Sequence, residues 1–118
     1  MANVCFYHIR YISGDKSAMK ELALYFKGKK EKFLCGVRTD ETYFDENELW
    51  IDGGCKWSAY VSMLEEGYYS TLQDSDLTNL EILTKELGLK ISLIANEYSC
   101  EVEEDYIIDN GTVYDNTI

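Results

Sequence analysis

Histidine and cysteine are the side chains of this sequence best able to act as a base or a nucleophile, and both are scarce. His8 is the only histidine, and the cysteines are Cys5, Cys35, Cys55 and Cys100. A Ser-His-Asp or Cys-His arrangement would have to use His8. The apolar residues around His8 predict a central strand, where a structural, hydrogen-bonded histidine is favoured over a base. Glycine-rich phosphate-binding motifs are also absent from the sequence, so we predict no catalytic residues and no enzymatic activity.

The spacing of the cysteines bears on metal binding and on the redox compartment. None forms a Cys-x-x-Cys pair, so a closed zinc site would need all four to converge. The spacing leaves disulfides open. However, the chain begins without the pattern of a secretory signal, and no apolar run reaches the roughly 18–20 residues of a membrane span. We therefore expect reduced, mostly buried thiols, no metal or other cofactor, and a cytoplasmic protein.

Carboxylates are the most abundant chemically active groups, and they form two clusters. Neither cluster has the spacing of a calcium-binding loop, so solvated, metal-free acidic surfaces are favoured. A divalent cation site and a glycosidase-type carboxylate pair remain alternatives. The first cluster consists of Asp40, Glu41, Asp45, Glu46 and Glu48, and the second of Glu101, Glu103, Glu104 and Asp105.

The distribution of charge along the chain is uneven. The 118 residues contain 22 Asp and Glu against 11 Lys and Arg, a net charge of −11. Eight of the 11 cations lie in residues 1–38, which contain only three acids, whereas residues 39–118 contain three cations and 19 acids. The lysines at 27–32 are typical of a helix C-terminus, with a minor nucleic-acid contact as the alternative. The overall charge disfavours nucleic acid and anionic membranes as partners.

The first half of the chain predicts a strand, a helix and a hairpin. Val4 to Ser13 is rich in aromatic and β-branched residues, and apolar side chains fall on both faces of the strand, which indicates a central strand. Asp15 can cap a helix over Lys16 to Lys27, with Met19, Leu22, Ala23 and Phe26 as its buried stripe and Gly28 as its end. A weak strand at Phe33 to Arg38 and an acidic loop at Asp40 to Glu48 follow. Two strands, Glu48 to Gly53 and Lys56 to Met63, are then predicted around Gly53-Gly54.

The second half predicts a further helix and three strands. Thr78 and Glu81 fit a capping box, Gly88 ends the helix, and the buried stripe is Leu77, Leu80, Leu83 and Leu87. A strand over Lys90 to Asn96 and a hairpin with its turn at Asn110-Gly111 complete the chain. The order of elements predicts an α+β, ferredoxin-like antiparallel sheet with two helices packed on one face, as a single domain over residues 1–118.

Three segments of this chain resemble a known family. They are Gly54-Cys55-Lys56-Trp57-Ser58, Leu89-Lys90-Ile91-Ser92, and Tyr106 to Gly111. These segments are similar to small phage and plasmid proteins with a YubB-type ferredoxin-like domain. Members of that family often carry a histidine before the last hairpin, whereas this chain has Val102-Glu103-Glu104-Asp105 there. The resemblance implies a ferredoxin-like fold and a mobile-element origin, and it implies no catalytic residues.

Charge and resemblance together predict a phage protein that binds a host protein without catalysis. The concrete form is an anti-CRISPR or anti-restriction inhibitor whose carboxylates occupy a basic nucleic-acid-binding surface. The alternatives are a regulatory or enzymatic domain that binds a metal or small molecule through clustered carboxylates, and a homodimer that pairs edge strands. The expected partner-binding residues are both acidic clusters together with Tyr68 and Tyr69, and reversal of Glu101, Glu103 and Glu104 to lysine is expected to leave the fold intact.

Overall fold

A six-stranded antiparallel sheet forms the framework of the protein. The computed structural model describes residues 5–56, 58–65, 75–97 and 103–117. The strands run in the order β2-β3-β1-β4-β5-β6 across the sheet. The elements along the chain are β1 (Cys5–Ser13), α1 (Ser17–Phe26), a 3₁₀ turn (Thr39–Glu41), β2 (Tyr43–Asp45), β3 (Trp50–Cys55), α2 (Ala59–Met63), α3 (Leu80–Leu87), β4 (Lys90–Glu97), β5 (Glu103–Asp109) and β6 (Thr112–Asp115).

Strand β1 lies in the middle of the sheet, between β3 and β4, as its apolar residues on both faces predict. One side of the strand presents Cys5, Tyr7 and Ile9, which are buried in the core. The opposite side presents Phe6, which is exposed, and His8, which is half-buried. We call the first side of the sheet the inner face and the second the outer face. The side-chain period of two residues assigns every strand residue to one of these faces.

Helices α1 and α3 pack on the inner face. The predicted stripe of α1, namely Met19, Leu22, Ala23 and Phe26, is confirmed as buried. Lys16, and not the predicted Asp15, is the N-cap of α1, and it makes no side-chain cap hydrogen bond. Asp15 precedes it, and its Oδ1 accepts hydrogen bonds from the backbone N and the Oγ of Ser17 at 3.0 and 2.8 Å. These bonds also lower the pKa of the exposed Asp15 carboxyl. No described helix is both long enough and apolar enough to cross a bilayer.

The start of α3 differs from the predicted capping box by one residue. Asn79, and not Thr78, is the N-cap, and its side chain accepts a hydrogen bond from Ile82 N at 2.9 Å. The predicted end is confirmed, since Gly88 adopts the left-handed conformation with φ 66°. The predicted final hairpin is also confirmed: Asn110 and Gly111 both have positive φ values of 47° and 97°, as a type I′ turn requires.

The predicted hairpin around Gly53-Gly54 is wrong. Both glycines lie inside β3, and Ala59–Met63, within the second predicted strand, form helix α2. Ser58 begins this helix by accepting a hydrogen bond from Val61 N at 3.1 Å. Glycine is required at position 53 because a Cβ there would lie 2.5 Å from Tyr7 Oη on the neighbouring strand. The Gly-Gly pair therefore serves a close approach inside the sheet and not a turn.

The loop predicted at Asp40 to Glu48 is only partly confirmed, because this segment contains most of the 3₁₀ turn and all of β2. Its last residues form the turn of the hairpin that joins β2 to β3. Asp45 Oδ1 accepts hydrogen bonds from Asn47 N and Glu48 N at 2.9 and 2.8 Å, and Leu49 adopts a positive φ of 57°. The weak strand predicted at Phe33 to Arg38 is reduced to two isolated bridges, to Leu77 and to Cys55. The α+β class and the antiparallel sheet are confirmed, with six strands instead of the four of a simple ferredoxin-like unit.

We predict that Gly53→Ala lowers the free energy of unfolding by about 1–3 kcal/mol, the usual cost of forcing extra atoms into a packed core. The new Cβ would meet the Tyr7 phenol, with Oη at 2.5 Å and Cζ at 2.8 Å. Chemical denaturation of the single variant and of the Tyr7→Phe/Gly53→Ala double variant measures the effect. Removing the Tyr7 hydroxyl should restore part of the lost free energy of unfolding. If the effects of the two substitutions on this free energy simply add, the proposed clash is contradicted.

Candidate functional site

The outer face of the sheet is open to solvent over the described part of the chain and carries aromatic side chains. Phe6 on β1 is 50% exposed, Tyr43 on β2 is 59% exposed, and Tyr114 on β6 is 54% exposed. Large aromatic groups normally gain stability by burial in the core, so three exposed ones on a single face are informative. We therefore take this face as the candidate functional site.

His8 and Asp52 form a hydrogen-bonded pair near the middle of this face. They lie directly opposite one another on β1 and β3, and His8 Nδ1 donates to Asp52 Oδ1. The Trp50 ring lies 5.5 Å from the His8 ring, and the Tyr43 ring lies 5.3 Å from that of Trp50. Three strands thus contribute one row of tilted ring contacts that ends at the imidazole, and the bond to Asp52 orients that imidazole.

A pocket of about 450 Å³ opens beside this pair. Asp52 and His8 form one part of its wall, and the exposed ring of Phe6 forms another. Glu41, from the 3₁₀ turn before β2, brings a second carboxylate to the pocket. Ile94 and Asn96 of β4 also line it. The pocket therefore combines two carboxylates, an oriented imidazole and an aromatic surface.

The His8–Asp52 arrangement resembles two members of a nucleophilic triad, but a nucleophile is missing. None of the described residues that line the pocket is a serine, threonine or cysteine, and Cys5 points to the inner face. The predicted hydrogen-bonded role of His8 is confirmed. Its predicted apolar surroundings are not, because the side chain lies on the outer face with 36% of its surface exposed. The geometry suits ligand recognition by fixed polar groups.

The first predicted acidic cluster lies along one edge of the outer face. Asp40, Glu41, Glu46 and Glu48 are exposed, and Asp45 is half-buried because its carboxylate holds the β2–β3 turn. Arg38 Nη1 lies 3.3 Å from Glu41 Oε1, an exposed ion pair of little strength. Only Glu41 of this cluster reaches the pocket.

The second predicted acidic cluster is divided between the two faces. Glu101, Tyr68 and Tyr69 lie outside the described residues. Glu103 is exposed and Asp105 is half-buried, and the register of β5 places both on the outer face. Glu104 corrects the sequence-based prediction of a surface residue, because it lies on the inner face and is only 7% exposed.

The Glu104 carboxylate holds helix α2 against the sheet. Oε2 accepts a hydrogen bond from Ala59 N at 2.9 Å, and Oε1 accepts one from Tyr60 N at 2.9 Å. Tyr106 Oη donates to Oε1 at 2.8 Å. Burial and this bond raise the pKa of the Tyr106 phenol. A buried carboxylate is tolerated here because backbone N–H groups at the start of a helix, which have no acceptor within the helix itself, donate to it.

The alternation along β5 could have revealed this role. Glu104 shares its parity with Tyr106 and Ile108, both of which are buried. A strand predicted to begin at Glu104 would have placed its side chain on the same face as these core residues. The sequence-based prediction instead grouped Glu104 with its acidic neighbours. It rested on the acidic composition of the segment and not on the alternation of side chains along a strand.

The described cysteines are placed for packing. Cys5 and Cys55 are buried and face each other across β1 and β3, which confirms the predicted burial for these two. A hydrogen bond to Cys5 and burial raise the pKa of the Cys55 thiol, which keeps it in its unreactive form. Cys35 is half-buried, and Cys100 lies outside the described residues. Within the described ranges, no three or more His, Cys, Asp or Glu side chains are grouped to hold a metal ion.

Comparison with known proteins does not indicate a function, so the function is inferred from the geometry of the structure. No family model, curated protein or solved structure matches this chain. The resemblance to YubB-type proteins therefore stays a prediction. Aromatic groups, carboxylates and a pocket occur together on the outer face.

We predict that Glu104→Ala lowers the free energy of unfolding by about 2–4 kcal/mol, since the Ala59 and Tyr60 N–H groups, the Tyr106 hydroxyl and the Cys5 thiol would all lose this buried acceptor. Its neighbour Glu103 is the matched control, because it is exposed on the other face of the same strand. Glu103→Ala should change the free energy of unfolding by no more than about 0.5 kcal/mol. Urea denaturation of both variants measures the difference. Equal effects would show that Glu104 does not anchor α2, and a large effect confirms that reversing Glu104 to lysine would damage the fold.

Proposed function

We propose that this protein is a non-catalytic binding protein that engages a basic, nucleic-acid-binding surface of another protein. The observation that carries the proposal is an open sheet face that combines exposed aromatic groups with carboxylates. Aromatic anchors surrounded by charged groups are the usual composition of a protein-binding surface. Carboxylates at this face would occupy the places that phosphates take on the partner.

The charge of the outer face supports a basic partner. By strand register, the face carries more acids than bases, namely Asp45, Asp52, Glu103, Asp105 and Asp109 against Arg10 and Lys90. The lysines of the first helix lie on the opposite side of the molecule, where Lys16 and Lys20 are exposed and Lys30 pairs with Glu21. A field of this kind would speed encounter with a cationic surface and make binding sensitive to salt.

The order of elements supports a ferredoxin-like unit within the larger sheet. Strands β2-β3-β1-β4 are adjacent in the sheet, helix α1 connects β1 to the β2–β3 hairpin, and α3 precedes β4. We propose that these elements form a split βαβ core to which β5 and β6 add one edge. Together with the YubB-like segments, this favours a mobile-element protein, concretely an inhibitor of a host defence nuclease of the anti-CRISPR or anti-restriction type.

The pocket beside His8 and Asp52 supports a second candidate function, the recognition of a small molecule. Its volume of about 450 Å³ lies within the usual range of ligand sites, about 300–1,000 Å³. Thermal unfolding in the presence of Mg²⁺, Mn²⁺, Ca²⁺ and nucleotides separates this candidate from the first. A rise in the unfolding temperature with any of them would favour the small-molecule function.

The binding function predicts that outer-face charge, rather than total charge, determines partner recovery. One variant carries Glu46→Gln, Glu48→Gln and Glu103→Gln, which are exposed at the acidic edge and on the outer face. The matched control carries Glu21→Gln, Glu31→Gln and Glu86→Gln, which are exposed on α1, in the segment after it and on α3 and remove the same charge. We expect the first variant to bind its partner at least about tenfold more weakly than the wild-type protein does. The control should bind nearly as tightly as the wild-type protein.

Partner binding by the wild-type protein and the two triple variants is measured by affinity capture from host lysate at low salt, followed by mass spectrometry and competition with duplex DNA. Recovery of a nucleic-acid-binding protein that DNA displaces supports the proposal. Recovery of none, or equal loss of binding by both triple variants, would overturn it.

A further inference from the structure

We propose that the pocket beside His8 and Asp52 is a binding site for an arginine side chain from a protein segment. The inference rests on the proposed function and identifies the partner group that reaches the centre of the outer face. It draws on the contacts of Asp52, Glu41, Phe6 and His8, each of which lines the pocket.

The two carboxylates of the pocket have capacity for a further cation. Asp52 uses Oδ1 to accept from His8, and its Oδ2 makes no hydrogen bond to any residue that the structure describes. Among the residues that the structure describes, Glu41 is contacted only at Oε1, by Arg38 Nη1 at 3.3 Å. A guanidinium presents several N–H groups in a fixed plane, so it can donate to two carboxylates at once.

The aromatic wall distinguishes a guanidinium from a simple ammonium. Phe6 is half-exposed at the pocket, and a planar guanidinium stacks on such a ring while its edge donates hydrogen bonds. A lysine ammonium could approach the carboxylates, but it is a compact, strongly hydrated charge that does not stack in this way. The bond to Asp52 orients the imidazole at the end of the row of ring contacts from Tyr43 through Trp50, so the site is organised before a ligand arrives.

Charge argues for a foreign basic segment over a second copy of this chain. If two copies joined through their outer faces, the five carboxylates of one copy would face the five of the other. Each copy would offer only Arg10 and Lys90 on that face to offset the repulsion. Phosphate-bearing ligands would meet Asp52 and Glu41 and be repelled. A segment rich in arginine, of the kind that otherwise contacts nucleic-acid phosphates, complements the pocket.

The test uses the full chain and a fluorescent, glycine-rich hexapeptide that contains two arginines. Matched peptides carry lysine or citrulline, which is neutral but has nearly the shape of arginine, at the same positions. Fluorescence anisotropy at low ionic strength measures the dissociation constants. We expect citrulline to weaken binding by about tenfold or more and lysine by about threefold or more. Equal binding of the arginine and citrulline peptides would overturn the inference.

A pair of variants with the same net charge locates the site. Asp52→Asn removes a pocket carboxylate, whereas Asp109→Asn removes one from the same face at the β5–β6 turn, outside the pocket. We expect Asp52→Asn to weaken binding of the arginine peptide by about tenfold and Asp109→Asn by less than about twofold. Phe6→Ala, which spares the His8–Asp52 bond, should lower affinity for arginine more than for lysine. If Asp52→Asn lowers the unfolding temperature, Glu41→Gln takes its place as the pocket variant.

The outcomes separate this inference from the function on which it rests. Equal effects of Asp52→Asn and Asp109→Asn would overturn the pocket while leaving intact a partner captured through Glu46, Glu48 and Glu103. Binding of free L-arginine as tight as that of the peptide would overturn the commitment to a protein segment and favour a small-molecule site. The arginine peptide could bind selectively although no partner that DNA displaces is recovered from lysate. This result would support the arginine site and reject the proposed binding to a nucleic-acid-binding surface.

Discussion

The two-residue period of the central strand is the constraint on which the rest of the structure depends. Because β1 is paired on both sides, its backbone is fixed, and its side chains must alternate between the core and the outer face. Tyr7 takes the space that only a glycine at position 53 can leave open. The same alternation sends Phe6 and His8 outward. The packing that stabilises the protein and the surface proposed to bind a partner therefore come from neighbouring residues.

The acidic residues of this protein serve two physically different purposes. Glu104 is buried and receives two backbone N–H groups and a phenol, so its charge is offset within the fold. Glu103 and Asp105 on either side of it face outward. A net charge of −11 does not distinguish these roles, whereas their position on the strand does. Under the proposed function the surface carboxylates would contribute to encounter with a partner, whereas the buried carboxylate contributes to the attachment of α2.

Local sequence chemistry predicted most elements, because their determinants lie within a few residues of each other. The stripe of α1, the end of α3 at Gly88 and the Asn110-Gly111 turn are all short-range patterns. The errors occurred where a distant residue decides. Gly53-Gly54 has the composition of a turn, but it pairs as part of a strand with Phe6 and Tyr7 of β1, far away in the chain. Glu104 has the composition of a surface, but the N-terminus of α2 brings it inside.

The sequence by itself determined the α+β class, the central strand and the excess of acid. It also showed His8 to be the only histidine, because these properties depend on composition and local periodicity. Only the tertiary structure decided that His8 meets Asp52, that Glu41 joins them at a pocket, and that Glu104 leaves the acidic surface. The reason is that strand register joins residues distant in sequence. A shift of one residue exchanges the two faces of a strand, and no pattern within either strand fixes that register alone.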